Sequence, residues 1–342
     1  STQVFCCVLM LMLGAVAVRA EILSDLYSAQ VPVKDQGNRA LAAGASEALK
    51  EVLVKVSGSF EVLDNPAIAE AVGDARRQVQ QYAFIRDKDS PQPLQARFEF
   101  DPSYVTALVT RAGAPLWTAN RPPVLVWLVA EDAGRRYFVN ADTAPQQADM
   151  LRRAFARRGV PVRFPLGDLT DAAALGVQDA WRLDGIALRA ASARYQPQFM
   201  AAGRYAQLSS GSVVGDWSYF SPEDRLDRAI SADSAEDFAH RGADIVARDL
   251  VSRYAVAPTA VEAGGIPMTV VGVKSFADYA GIVSWLESLE LVARANLESL
   301  SGERMELRLR ASADASRLAT LIELNKRLQP LPPAGQGPRL SY

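Results

Sequence analysis

Seven residues, Val124, Leu125, Val126, Trp127, Leu128, Val129 and Ala130, follow a proline pair without a polar interruption. A strand with one wet face alternates apolar and polar residues, so an unbroken run of this length has to be covered on both faces. The run therefore predicts a central strand between two helical layers. The residues after it agree. Residues 144–158 place Met150, Leu151, Ala154 and Phe155 on one helical side and stop at Gly159, and 160–164 return as a second apolar stretch. That is the pattern of a βαβ unit. A further helix ending near Tyr195, strands over 199–208 and 213–220 read as a hairpin, and a helix to Tyr254 opened by a Ser234 and Asp237 capping-box signal fill out the block.

Two stretches with linker composition bound this block. One is 113–123, carrying Pro115, Pro122 and Pro123; the other is 255–267, carrying Pro258, Gly264 and Gly265. Ahead of it, 26–33 alternate as a strand, and 38–56 carry Leu41, Ala45, Ala48, Leu49, Val52 and Val56 at helical spacing before a stop at Gly58. A short helix from Pro66, strands over 78–85 and 94–100 and a helix over 102–112 complete an α+β block. Behind it, Met305, Leu307, Leu309 and Ala311 alternate with Arg304, Glu306, Arg308 and Arg310, which requires one buried and one wet sheet face. Its expected companions are strands over 266–273 and 290–298, a helix capped by Ser275 and Asp278, a helix over 314–328, and 339–342 as a candidate last strand. The order βαββα is that of a ferredoxin-like domain. The expected fold is thus α/β and α+β in three small domains, 21–113, 122–255 and 265–342, with a mixed helix-covered sheet in the middle.

Residues 1–20 stand apart. An apolar run over 4–18 leads into Val18, Arg19 and Ala20, with small residues at the two positions a signal peptidase reads, so cleavage after Ala20 is expected. The run is shorter than the roughly 20 residues of a stable membrane span. Cys6 and Cys7 both lie inside it, so the mature chain is expected to carry neither a disulfide nor a Cys nucleophile. They precede most of the run, which argues against a lipid-anchored form. The expected location is the periplasm. Charge is nearly balanced, 37 basic against 39 acidic residues, and −3 once Arg19 is lost, leaving no field to hold nucleic acid or an anionic membrane.

Few residues suggest chemistry. His240 is the single histidine, which excludes multi-histidine metal sites, and it falls opposite the apolar stripe of its helix. GxxxxGK[ST], GxGxxG between strand and helix, SxxK and GxSxG are all absent. No catalytic, metal-binding or cofactor-binding set is assigned. Glu131 and Asp132 follow the central strand, and Asp168 and Asp171 follow the next, where open α/β sheets place ligands; the plainer reading makes Asp132 a turn residue and Asp168 or Asp171 a helix cap. Arg152, Arg153, Arg157 and Arg158 crowd one helix end, where cations meet the helix dipole. The five tryptophans are scattered over all blocks, as core residues rather than a stacking platform.

Val31, Pro32, Val33, Asp35 and Gln36, leading into Ala48, Leu49, Val52, Leu53, Lys55, Val56, Ser57 and Gly58, resemble the start of domain-of-unknown-function family 2066, exported proteins of proteobacteria. Arg121 to Trp127, Gly203, Val271 to Val273, and Ser275, Phe276, Asp278 and Tyr279 are similar to the same family. The resemblance implies export and brings no catalytic residue. The expected function is a non-catalytic envelope interaction or scaffold protein with an envelope protein partner. Two alternatives stand beside it: a carboxylate-dependent periplasmic hydrolase, and a small-molecule-binding protein using the middle block.

Overall fold

A computed structural model describes residues 21–22, 25–86, 93–257, 265–332 and 340–342; residues 1–20, read as a cleavable leader, and the two cysteines within them lie outside the described residues. The first block contains β1 (Glu21–Ile22), β2 (Ser28–Pro32), α1 (Asn38–Ser57), α2 (Pro66–Gly73), β3 (Val79–Arg86), β4 (Leu94–Phe100) and α3 (Pro102–Arg111). Its sheet is antiparallel, in the order β2-β4-β3. The apolar stripe of α1 is fully buried on it, and Gly58 closes the helix in the left-handed region at φ 77°.

The middle block runs through β5 (Asn120–Arg121), β6 (Val124–Asp132), β7 (Arg135–Phe138), α4 (Pro145–Arg157), β8 (Val162–Arg163), α5 (Leu169–Ala174), α6 (Val177–Trp181), α7 (Gly185–Ser192), β9 (Phe199–Gln207), β10 (Val213–Phe220), β11 (Arg225–Ala232) and α8 (Ala235–Tyr254). The short β5 leaves this sheet and pairs with β1. The remaining strands form one mixed sheet, β11-β10-β9-β6-β7, with β8 also alongside β6. As its composition requires, β6 is covered twice. Val124, Val126 and Leu128 pack with Phe155 of α4 and Val246 of α8, while Leu125, Trp127 and Val129 pack with Leu175 and Leu188 from the α5–α7 side.

The third block contains β12 (Ile266–Val271), α9 (Phe276–Glu287), β13 (Val292–Ser301), β14 (Arg304–Ala311), α10 (Ala315–Leu324) and β15 (Leu340–Ser341), in the sheet order β13-β14-β12-β15. Ser275 and Asp278 form a full capping box on α9. The expected order βαββα is present, but β15 runs parallel to β12. A ferredoxin-like sheet needs an antiparallel last strand there, because that strand would enter from the far end of α10.

The stretch from Leu116 to Pro123, read as part of a linker, is packed. Leu116 bridges Val256, and the Trp117 amide donates to the Val56 carbonyl at 2.7 Å. Arg121, fully buried, lies with its Cζ 3.7 Å from the centre of the Trp117 ring. Its guanidinium donates to the carbonyls of Lys55, Trp117, Thr118 and Gly159, at 2.7, 2.5, 2.7 and 2.7 Å. Desolvation pushes its pKa down to about 9, against the pull of Glu290 and Tyr27, and it remains a cation at neutral pH. Glu290, from the third block, accepts from the Tyr27 hydroxyl at 2.7 Å and from the Ala119 amide at 3.0 Å. All three blocks therefore meet around residues 117–121.

Of the arginines at the end of α4, Arg152, Arg153 and Arg157 stay exposed, Arg157 in the last turn as the helix-dipole reading expects, whereas Arg158, just past the helix, turns into the same junction. Arg158 is buried on the Phe60 ring, with its Nε 2.5 Å from Asp244 Oδ1 of α8 but not aligned for a hydrogen bond. Arg157 lies 3.7 Å from Glu51 of α1, and Arg152 pairs with Asp149.

Two substitutions probe the junction. Arg121→Ala strands four buried carbonyls and is expected to lower unfolding stability by about 3–5 kcal/mol in denaturant titration. Arg121→Lys restores only part of this, because an ammonium has no planar fork. Gly159 has φ 68°, and a Cβ there would stand 2.1 Å from Arg121 Nη1, so Gly159→Ala is expected to cost about 1–3 kcal/mol. Losses near zero for both Arg121→Ala and Gly159→Ala would show that the blocks do not depend on this contact.

Candidate functional site

The connection leaving β6 passes through β7 to α4 on one face of the middle sheet, whereas the connection leaving β8 passes through α5–α7 on the other. Neighbouring parallel strands whose connections diverge in this way leave a crevice between them, the usual ligand position in open α/β sheets. Here β7 and β8 widen it. β8 pairs only with Val124 and Leu125 of β6, and β7 only with Val129 to Asp132. On this edge Val124 donates to Pro161 O at 2.9 Å and Leu128 accepts from Val139 N at 2.8 Å. Backbone direction alternates along a strand, and the parallel pairing of Leu125 with Arg163 takes up the Val126 N–H, so Val126, between them, turns its C=O into the gap. Pro165, on the returning chain, has no N–H to offer it.

The resulting cavity holds about 370 Å³ and is walled by Trp127, Phe138, Val139, Leu175 and Val177, with Arg136, Asn140, Thr143 and Asp171 as its polar lining. Gly167 also lines it, at φ 70°; a Cβ there would approach Asn140 Nδ2 to 3.3 Å.

Three of the four carboxylates singled out in the sequence lie on or beside this crevice, each already engaged. Asp171 is 3% exposed. Its Oδ2 accepts from the Gly167 amide at 2.8 Å and the Tyr195 hydroxyl at 2.5 Å, and its Oδ1 from Arg194 Nη1 at 3.0 Å. Burial, followed by the bond to Asp171, raises the Tyr195 pKa. Asp168 caps α5 through the Asp171 amide and takes two bonds from Arg194, at 2.7 and 3.0 Å. The hydrogen bond from Arg194 is the main cause that holds the Asp168 carboxyl down at about 2. Glu131 accepts from Arg136 Nε at 2.6 Å, and Arg136 also donates Nη1 to Gln178 Oε1 at 2.7 Å while its Cζ stands 4.2 Å from the Trp181 ring centre. Asp132 ends β6 at the hairpin turn, the plain role expected of it. His240 is apart from all of these, half-exposed on α8, with Nε2 3.7 Å from Glu236.

Arg136, Asn140 and Arg194 escape a motif search because no local pattern links them to β6; Asn140 carries the one local signal, an Asx turn in which its Oδ1 accepts from Asp142 and Thr143 amides at 3.0 and 2.8 Å. Among the described residues, no group of three or more His, Cys, Asp or Glu could hold a metal ion. No helix among them is long and apolar enough to cross a membrane.

Residues 20–118 match the model of a family described as a domain of unknown function, DUF8605. This corrects the resemblance to family 2066. Some of the residues that carried it are those any amphipathic helix stopped by glycine displays: Ala48, Leu49, Val52 and Val56 are core residues of α1, and Gly58 is its left-handed stop. No curated protein matches the chain. A solved structure titled as that of an uncharacterized protein is 11% identical over 38% of this chain and 86% of its own, at a TM-score of 0.17, too low to inform the fold.

The Asp168 pKa sits below its ordinary 3.8, so as pH falls the unfolded chain takes up this proton first. The contribution of Asp168 to stability is complete above about pH 5 and is lost as pH falls through 4 towards 2. Thermal melts are expected to show Asp168→Asn less stable than wild type at pH 6, with the gap closing by pH 2. A gap independent of pH would remove Asp168 from the acid response.

Proposed function

We propose that this chain is an exported, non-catalytic envelope protein that recognises a ligand in the crevice of its middle block, its joined blocks serving as scaffold for an envelope protein partner. The carrying observation is the engagement of the carboxylates at the crevice. A general acid or base needs a proton site within reach of substrate, and Glu131, Asp168 and Asp171 are held by Arg136, Arg194, Tyr195 and backbone amides. A cavity with apolar walls, a few polar groups and no free acid suits binding without turnover.

Export is supported by the apolar leader and its small residues at the cleavage positions. The ferredoxin-like reading of the third block is supported by its βαββα order and is limited by the direction of β15. A partner surface is suggested at one end of that block, where Val271, Phe276 and Leu300 are 47%, 80% and 53% exposed.

Cell fractionation with sequencing of the mature N-terminus is expected to find processed protein, starting at Glu21, in the periplasm; an intact leader on cytosolic protein would refute export. A photo-crosslinking residue at position 276 is expected to give a discrete adduct with an envelope protein, and one at the exposed Leu208 of the middle block is not. Glu131→Gln and Asp168→Asn are expected to abolish no hydrolytic activity towards cell-wall material, and a turnover lost in either variant would favour the hydrolase alternative.

A further inference from the structure

The hydrogen-bonding groups of the crevice are not evenly divided between donors and acceptors. Most of its side-chain acceptors are engaged: the buried Asp171 takes two bonds on Oδ2 and one on Oδ1, the Asn140 carbonyl oxygen takes two backbone amides, and the Tyr137 hydroxyl oxygen accepts from Gln147 at 3.2 Å, while the Thr143 hydroxyl can serve either way. Its donors are not. Asn140 Nδ2 and Arg136 Nη2 have no partner among the described residues, and the Tyr137 O–H proton has no acceptor there. Val126 contributes its C=O to the gap, a single open backbone acceptor against these three donors. An ammonium or other cation entering the crevice would meet the Arg136 guanidinium, and the carboxylate in the lining, Asp171, is buried and already holds three bonds. An anion would find a cation, an amide N–H₂ and a phenol, all able to donate. The walls, with Trp127, Phe138, Val139 and Leu175, exclude a ligand that is polar throughout. At about 370 Å³ the cavity is near the small end of ligand sites, which run from about 300 to 1,000 Å³.

We infer that the crevice binds a small carboxylate with an aromatic or branched aliphatic body, its carboxylate held by Asn140 Nδ2 and Arg136 Nη2 and its body against Phe138 and Leu175. This inference rests on the binding role proposed for the middle block and adds the chemistry of the ligand. Arg136 supplies the charge without being free to swing away, because Glu131, Gln178 and the Trp181 ring already fix its plane. Asn140 is fixed as well, since its carbonyl oxygen is pinned by the turn, so the Nδ2 donor is aimed before the ligand arrives.

Isothermal titration of the full mature chain with phenylacetate, hydrocinnamate and isocaproate, each beside its amide and its amine, tests this. The carboxylate is expected to bind at least about tenfold tighter than its amide, and the amine not to bind. Asn140→Asp keeps the turn acceptor and replaces the donor by a second acidic oxygen; it is expected to weaken carboxylate binding at least about tenfold while leaving the circular dichroism spectrum unchanged. Ala172, exposed on α5 at the lip of the crevice, tolerates a larger residue, and Ala172→Phe is expected to block all binding there. Amides or amines binding as well as carboxylates, with Ala172→Phe still blocking them, would overturn the ligand class and leave the binding role standing. Carboxylate binding unchanged in Asn140→Asp would overturn the assigned donor. No binding by any probe would defeat both this inference and the role it rests on.

Discussion

A guanidinium taken fully out of water has to be surrounded by acceptors, and Arg121 is surrounded by backbone carbonyls from two blocks and the segment between them. Lys55 O belongs to the last turn of α1, and Gly159 O lies just beyond α4, so the negative ends of two helices converge on one cation. The Trp117 ring closes its remaining face. This sets how the first and middle blocks can lie: α1 and α4 must end at the same point, and the chain at Gly159 must turn with positive φ to leave room for Nη1. The third block joins through Glu290, which reaches the first block at Tyr27 and the connecting segment at Ala119.

The middle block depends on that arrangement for its entrance and on β6 for its interior. Because β6 is buried on both faces, helices must lie on both sides, and a chain that changes sides between β6 and β8 leaves a gap where it does so. The gap has apolar walls and a few polar groups. There the acids serve as braces: Asp168 and Asp171 hold α5 to the Arg194–Tyr195 end of α7, and Glu131 orients Arg136. The same residue types that suggested acid-base chemistry thus build a rigid wall.

Much of the fold was legible in the chain because the signals are local. The unbroken run of β6, the stripe of α1, the alternation of β14 and the capping box of α9 each express a periodicity or contact within a few residues. β7 and β11 left no such trace. Arg135 and Arg136 open β7, and Arg225, Asp227 and Arg228 fill β11, because each is an edge strand whose polar side chains stay wet. The inward turn of Arg158 was equally hidden, since its partners Phe60 and Asp244 lie far away in sequence. At the site, Asp168 and Asp171 could be picked out by their position after a strand, whereas Asn140, Arg136 and Arg194 could not.

Sequence alone determined the layered α/β core, the single histidine and the lack of phosphate-loop and serine-nucleophile motifs, for periodicity and residue inventory are properties of the chain itself. Tertiary structure decided the direction of β15, the packing of residues 116–123 into a junction, and which donors at the crevice stay unused. The reason is physical: a hydrogen-bond partner far along the chain leaves no mark on local pattern, so whether Arg121 is buried or Asn140 is free depends on where the backbone of other blocks comes to rest.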